Sequence, residues 1–323
     1  MRFSLNFTAM EPSHVQNYIK KCLHALPYRQ KGVPLHAIWI IMKSRIIIIL
    51  ATTAFLLTGC GEYNAVQKHA DSEYKYEYAK ACYTRGKYTR AFETLSGVIT
   101  AMKGSGYGEE SLYLMGMSAY NSGDLTAASE TFRKYYQSYP RGIYVEDANY
   151  YCGRALYDAM PDARLDQTTT KQAIAELQRF LDNYPYTRLK EQTEEMIQKL
   201  QDHLVEKEYL SAKLYYDLGD YLLNSLQGGS NYEACIVTSE NALRDYPFAK
   251  AERREQFLLM ILRSRYHLAR QSIDTKQAER FRQTVDDYYA FVNEFPESQY
   301  LKEAQNYLTK SQKALKGLPI DED

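Results

Sequence analysis

The chain has 323 residues, with 40 Lys/Arg against 40 Asp/Glu, and carries no formal net charge. Such a balance does not suggest a nucleic-acid protein, which would normally show a broad basic face. Five cysteines, an odd number without close spacing, make a poor disulfide framework.

Residues 1–41 show scattered basic residues, Cys22 and the single tryptophan, Trp39, with no clear period. Met42 is followed by Lys43-Ser44-Arg45, an apolar run from Ile46 to Leu57, and Thr58-Gly59-Cys60. A basic start, an apolar core of this length and a small-residue cleavage site make a secretory signal. The run is too short to span a bilayer, which takes about 20 apolar residues. Signals sit at the very N-terminus, so translation is expected to start at Met42. Leu57-Thr58-Gly59-Cys60 also resembles a bacterial lipobox, which implies cleavage before Cys60 and its diacylation. The plainer alternative is an ordinary signal with an incidental cysteine. Segment 1–59 holds seven Lys/Arg and one Asp/Glu, so the mature chain has 33 basic and 39 acidic residues, a net of −6.

Residues 60–70 read as a lipidated, polar linker, and residues 71–316 as helices throughout. Within them a tyrosine pair recurs: Tyr76–Ala79–Tyr83, Tyr113–Gly116–Tyr120, Tyr150–Gly153–Tyr157 and Tyr209–Ala212–Tyr216. The first three are 37 residues apart and the fourth follows after 59. A period of this size marks a stacked repeat protein. Seven residues are about two helical turns, so each pair lies on one face, with a small residue where a neighbouring helix packs closely.

The unit over 109–140 is the best formed. Leu112, Met115, Gly116 and Ala119 share a helix face, Gly123-Asp124-Leu125 turns the chain, and Ala128, Phe132 and Tyr135 continue on a second helix closed by Pro140. Type and spacing resemble the tetratricopeptide pattern. The first unit carries Ala79, Gly86-Lys87-Tyr88, Ala91 and Leu95 but lacks the closing proline. Its loop Lys103 to Gly108 reads as an inter-repeat turn and not a phosphate loop, because no Gly-Lys-Ser/Thr follows. The third unit is interrupted by an insertion around Asp158 to Thr170. The fourth begins with a long helix from Leu189 through Leu226, with an interruption. The fifth runs from Ala249 to Pro296, and a helix near Ser298 to Leu315 caps the stack. Gly317 to Asp323 form an acidic tail. The expected fold is therefore all-α, a solenoid of about five helix pairs with a C-terminal cap, divided into an N-terminal half (71–186) and a C-terminal half (187–316). Cys82, Cys152 and Cys235 fall at small-residue packing positions and read as buried free thiols.

First helices of such arrays line the concave surface, and tyrosine offers a peptide both apolar area and a hydroxyl at little entropic cost. Tyr76, Tyr83, Tyr113, Tyr120, Tyr150 and Tyr157 are the candidate peptide groove. The bland alternative is that the rings fill gaps between units. A second candidate surface is basic: nine Lys/Arg against four acids between Lys250 and Arg282, with Arg253, Arg254 and Arg263 as the docking residues. Its bland alternative is a solvated face. No catalytic constellation is visible. His69, His203 and His267 are far apart, and there is no Gly-x-Ser-x-Gly, no Cys-x-x-Cys and no Rossmann glycine signature. No enzyme activity, metal or cofactor is expected beyond the lipid on Cys60.

The lipobox followed by five helical repeats resembles the BamD family, lipoproteins of the outer-membrane β-barrel assembly machinery. So do Asn121-Ser122-Gly123-Asp124-Leu125…Ala128…Phe132…Pro140, the insertion with Asp166-Gln167 before Ala173, and Leu204…Glu208-Tyr209…Ala212…Tyr215-Tyr216. The resemblance covers roughly residues 60–310. It implies a palmitate-type lipid anchor in the outer membrane, facing the periplasm. It also implies N-terminal repeats that read unfolded outer-membrane proteins and C-terminal repeats that dock on the barrel-forming subunit. Tyrosine richness, the missing first proline and Gln227-Gly228-Gly229-Ser230 depart from that pattern. Two other readings stay open: a periplasmic tetratricopeptide adaptor coordinating cell-envelope enzymes, and a glycan-binding, SusD-like lipoprotein. The second would be expected to be longer and to use tryptophan, which the mature chain lacks.

Overall fold

The computed structural model describes residues 63–219 and 230–320. The signal segment, Cys60, the glycines of the 227–230 insertion and the last three residues of the tail lie outside that range. The chain divides after Lys68 into two units. Of the first, residues 63–68 are described and helical.

The second unit contains eleven helices among its described residues: α1 (Ser72–Thr84), α2 (Tyr88–Met102), α3 (Gly108–Ser122), α4 (Leu125–Ser138), α5 (Val145–Asp158), α6 (Thr168–Asn183), α7 (Lys190–Asp217), α8 (Asn231–Asp245), α9 (Ala251–Arg270), α10 (Asp274–Glu294) and α11 (Leu301–Leu315). Each helix packs on the next, and odd-numbered helices also meet directly: α1 with α3, α7 with α9, α9 with α11. That is the layout of a tetratricopeptide-like solenoid, five antiparallel pairs and a cap, with the odd helices as the inner row.

Local chemistry explains the alternation. The turn between α1 and α2 passes through Gly86 at φ 72°, and that between α3 and α4 through Gly123 at φ 85°, a backbone region that side chains disfavour. Asp71 caps α1 by accepting from the Glu73 N–H, and Asp124 caps α4 by accepting from the Ala127 N–H. The small residues sit where helices touch. A Cβ on Gly116 would lie 2.7 Å from the Phe132 ring, and one on Gly153 would lie 2.6 Å from Leu177. Ala79 and Ala212 hold the same position in their repeats and are fully buried. Cys82, Cys152 and Cys235 are buried free thiols, and Cys152 Sγ donates to the Ser129 carbonyl at 3.3 Å. Burial pushes the Cys152 thiol up to about 12, so it stays neutral.

Successive repeats are also clasped by acids in the first helical turns. Glu109 of α3 accepts from the Tyr135 hydroxyl at 2.6 Å and from the Ile143 N–H at 2.7 Å, holding the α4–α5 loop. Glu146 of α5 accepts from Thr187 at 2.7 Å, holding the α6–α7 loop. In α7 the clasp comes a full three turns later, where Asp202 pairs with Lys250 at 2.6 Å.

The delay reflects the length of α7. Met196, Ile197 and Leu200 pack with Leu177 and Phe180, whereas Val205 and Ala212 pack with Cys235, Ala242 and Phe257. One 28-residue helix thus serves two cores and joins the halves. The third-repeat insertion packs against the middle of α7. His203 Nε2 meets the Pro161 carbonyl at 2.8 Å, and Lys207 Nζ donates to the Leu165 carbonyl at 2.6 Å. Gln167 pins the insertion from inside, donating to the Asp162 carbonyl at 2.8 Å. Over its described length α7 is uninterrupted as far as Asp217, so the interruption expected within 189–226 does not fall before that residue.

Candidate functional site

The two tyrosines of each pair share a helix face but have different surroundings. Tyr76 is wholly buried and Tyr150 nearly so, while Tyr113 is half-buried. Each is covered by the residue that precedes the next odd helix. Tyr107 lies 5.2 Å from Tyr76, and Tyr144 stacks on Tyr113 at 4.3 Å with an interplanar angle of 9°. Leu189 joins the cluster containing Tyr150. Tyr150 also packs on Phe180 at 5.6 Å. Tyr76 and Tyr150 therefore offer no ring surface to a peptide, and the candidate groove contracts. The covering residues carry a sequence signal of their own, since Tyr107 and Tyr144 are also 37 residues apart.

The second members, Tyr83, Tyr120 and Tyr157, are half-buried near the C-terminal ends of α1, α3 and α5. They form a cross-repeat ladder. Asn121 Nδ2 donates to the Tyr83 hydroxyl at 3.1 Å, and the Tyr120 hydroxyl donates to Asp158 Oδ2 at 2.6 Å. Asp158 also receives Arg154 Nε at 3.0 Å, and that guanidinium lies 5.7 Å from the Tyr157 ring centre. Each rung reaches the residue that follows the equivalent tyrosine in the next repeat. The Tyr-Asn and Tyr-Asp dipeptides at 120–121 and 157–158 were the visible signal for this.

The chemistry of the ladder is directional. Tyr83 accepts from Asn121, so its hydroxyl proton remains to be donated. Tyr120 donates to Asp158, so its lone pairs remain to accept. Adjacent repeats thus present one donor and one acceptor beside partly exposed rings, which suits the carbonyl and N–H groups of an extended backbone. Burial is the main reason these phenols resist ionisation. The Tyr83 hydroxyl is raised above its ordinary range, and that of Tyr120 is raised to about 12, with Asp158 adding to the effect.

The basic excess between Lys250 and Arg282 is matched in space by acids from neighbouring helices. Arg253 pairs with Glu206 of α7 and lies over the Tyr209 ring at 4.2 Å. Arg254 pairs with Glu294 of α10 at 2.8 Å, and Arg263 with Glu303 of α11 at 2.6 and 2.7 Å. Arg265 bridges Glu240 at 2.7 Å and Asp287 at 2.8 Å. The three arginines singled out as docking residues are thus engaged within the fold. Their acidic partners lie 40 to 47 residues away in sequence, too far for a local charge count to register.

Among the described residues no helix is long and apolar enough to cross a membrane. Residues 68–227, spanning α1 to α7, match the model of the YfiO family, described as outer membrane lipoprotein. No curated protein matches the chain.

Proposed function

We propose that this chain is a non-enzymatic, lipid-anchored subunit of the outer-membrane β-barrel assembly machinery, of the BamD kind, which holds unfolded barrel proteins and docks on the barrel-forming subunit. The observation that carries the reading is the ladder of Tyr83, Tyr120 and Tyr157 on a solenoid similar to an outer membrane lipoprotein family. A C-terminal strand of an unfolded barrel protein has unpaired backbone groups and alternating aromatics, and the ladder complements both. The anchor is the acylated Cys60 on the periplasmic side. Each buried methylene contributes about 0.8 kcal/mol, so stable retention takes more than one chain, which diacylation plus N-terminal acylation supplies. Docking belongs to the C-terminal half, 187–316. With Arg253, Arg254 and Arg263 already paired, they act there by shaping α9 and less as free charge.

Capture from detergent-solubilised membranes tests the reading. The barrel-forming subunit and unfolded barrel proteins are expected with the tagged chain, and depletion should lower the level of barrel proteins. Recovery of cell-wall enzymes instead, with division defects and normal barrel proteins on depletion, would replace it with the adaptor reading. Cys60→Ala should leave a folded chain that fractionates as soluble or unprocessed. Unchanged processing and membrane retention would remove the anchor.

A further inference from the structure

The odd helices of the N-terminal half all begin at one edge of the solenoid, and that edge has a recurrent composition. Every loop that leads into α3, α5 or α7 exposes a large apolar side chain together with a cation: Tyr107 with Lys103, Ile143 with Arg141, Tyr186 with Arg188. Tyr74, in the first turn of α1, adds a further exposed ring. Ile143 is 81% exposed and Tyr186 99%, values that no internal packing accounts for. The two line one cleft of about 660 Å³ between their loops. Glu109 and Glu146 are engaged as the clasps that hold the next loop, and Glu73 of α1 hydrogen-bonds with Tyr107. The three loops themselves contain no acid, so each presents apolar side chains beside Lys or Arg.

We infer that this edge, formed by Tyr74, Tyr107, Ile143 and Tyr186 with Lys103, Arg141 and Arg188, rests on the lipid surface. The composition is that of a membrane interface, where amphipathic aromatics sit at headgroup level and cations meet phosphates. The length of chain before the solenoid selects lipid as the occupant. Ser72, at the start of α1, opens on this same edge and lies twelve residues after Cys60, a reach of at most about 40 Å. An anchor on so short a tether presents the α1 end of the edge to the bilayer. The inference rests on the anchor proposed above. It adds an orientation: the bilayer lies beyond the starts of α1, α3, α5 and α7, and the tyrosine ladder, near the opposite ends of α1, α3 and α5, points into the periplasm.

Local fluorescence separates the edge from the anchor. The mature, acylated chain, which has no tryptophan of its own, is given a single probe by Tyr186→Trp, Tyr107→Trp or, as a distant control on α10, Tyr289→Trp, and Trp39→Phe is added where Cys60→Ala leaves the chain unprocessed. Each protein is reconstituted into vesicles of phosphatidylethanolamine and phosphatidylglycerol with brominated acyl chains. Flotation reports the anchor, while emission and quenching report the edge. The expected result is blue-shifted emission and severalfold stronger quenching at 186 and 107 than at 289, lowered when Lys103, Arg141 and Arg188 are all changed to Glu. Flotation with equal, weak quenching at all three positions would overturn the edge and leave the anchor standing. Failure to float would overturn both. Selective quenching at 186 and 107 after Cys60→Ala would support the edge without the anchor.

Discussion

A phenol hydroxyl that accepts one hydrogen bond and one that donates one are different reagents, and Tyr83 and Tyr120 alternate these roles along the ladder. The tyrosine pairs could be located from their spacing alone. Which member of each pair is exposed depends on Tyr107, Tyr144 and Leu189, residues brought in by the following repeat. The same burial has a measurable consequence. The folded hydroxyls of Tyr76 and Tyr120 are raised from 10.0 to about 12, with burial the largest cause for both. Unfolded phenols ionise first, so this contribution to stability is complete below pH 10 and is lost as pH rises from 10 toward 12. Absorbance titration should therefore show a class of tyrosines ionising late and together with alkaline unfolding. All phenols titrating near 10 with the helices intact would contradict the packing. Gly116 makes a second residue-level case. Gly116→Ala should destabilise by about 1–3 kcal/mol, since its Cβ would meet Phe132 at 2.7 Å. Chemical denaturation measures it, and an unchanged midpoint would mean that α3 and α4 are less closely packed.

At the scale of elements, α7 explains why the two halves read differently. Its first half belongs to the core of Leu177 and Phe180, its second to that of Cys235 and Phe257. The regular 37-residue period ends there because a helix serving two cores, with an insertion packed on it, cannot keep one repeat length. Helix pairs, small contact residues and closing prolines were legible, because each is a local pattern. The charge state of α9 was not, because its acids come from α7, α8, α10 and α11. Arg263→Glu should thus lower stability by about 1.5–3 kcal/mol, the range for a hydrogen bond to a charged group. Combining it with Glu303→Arg should restore much of the loss. A stable single variant that has lost only partner binding would instead make Arg263 a docking residue.

At the scale of the whole molecule, an outer-membrane lipoprotein family match over 68–227 joins a solenoid whose inner row carries the ladder. Fold class, repeat number and cap followed from periodicity. The site followed less fully, because neighbouring repeats decide which rings are covered and which hydroxyls are engaged. The central claim is that the ladder binds an extended, aromatic-ended strand. Truncating a hot-spot tyrosine commonly costs about 2 kcal/mol or more. The decisive measurement is the affinity of the chain for a synthetic C-terminal strand of a barrel protein, native against Tyr83→Ala, Tyr120→Ala and Tyr157→Ala combined, with thermal melting recorded for both. The account predicts a folded triple variant whose binding is weaker by well over tenfold. A folded triple variant that binds as the native chain does would mean that these tyrosines only hold the repeats in register and that the strand is read elsewhere.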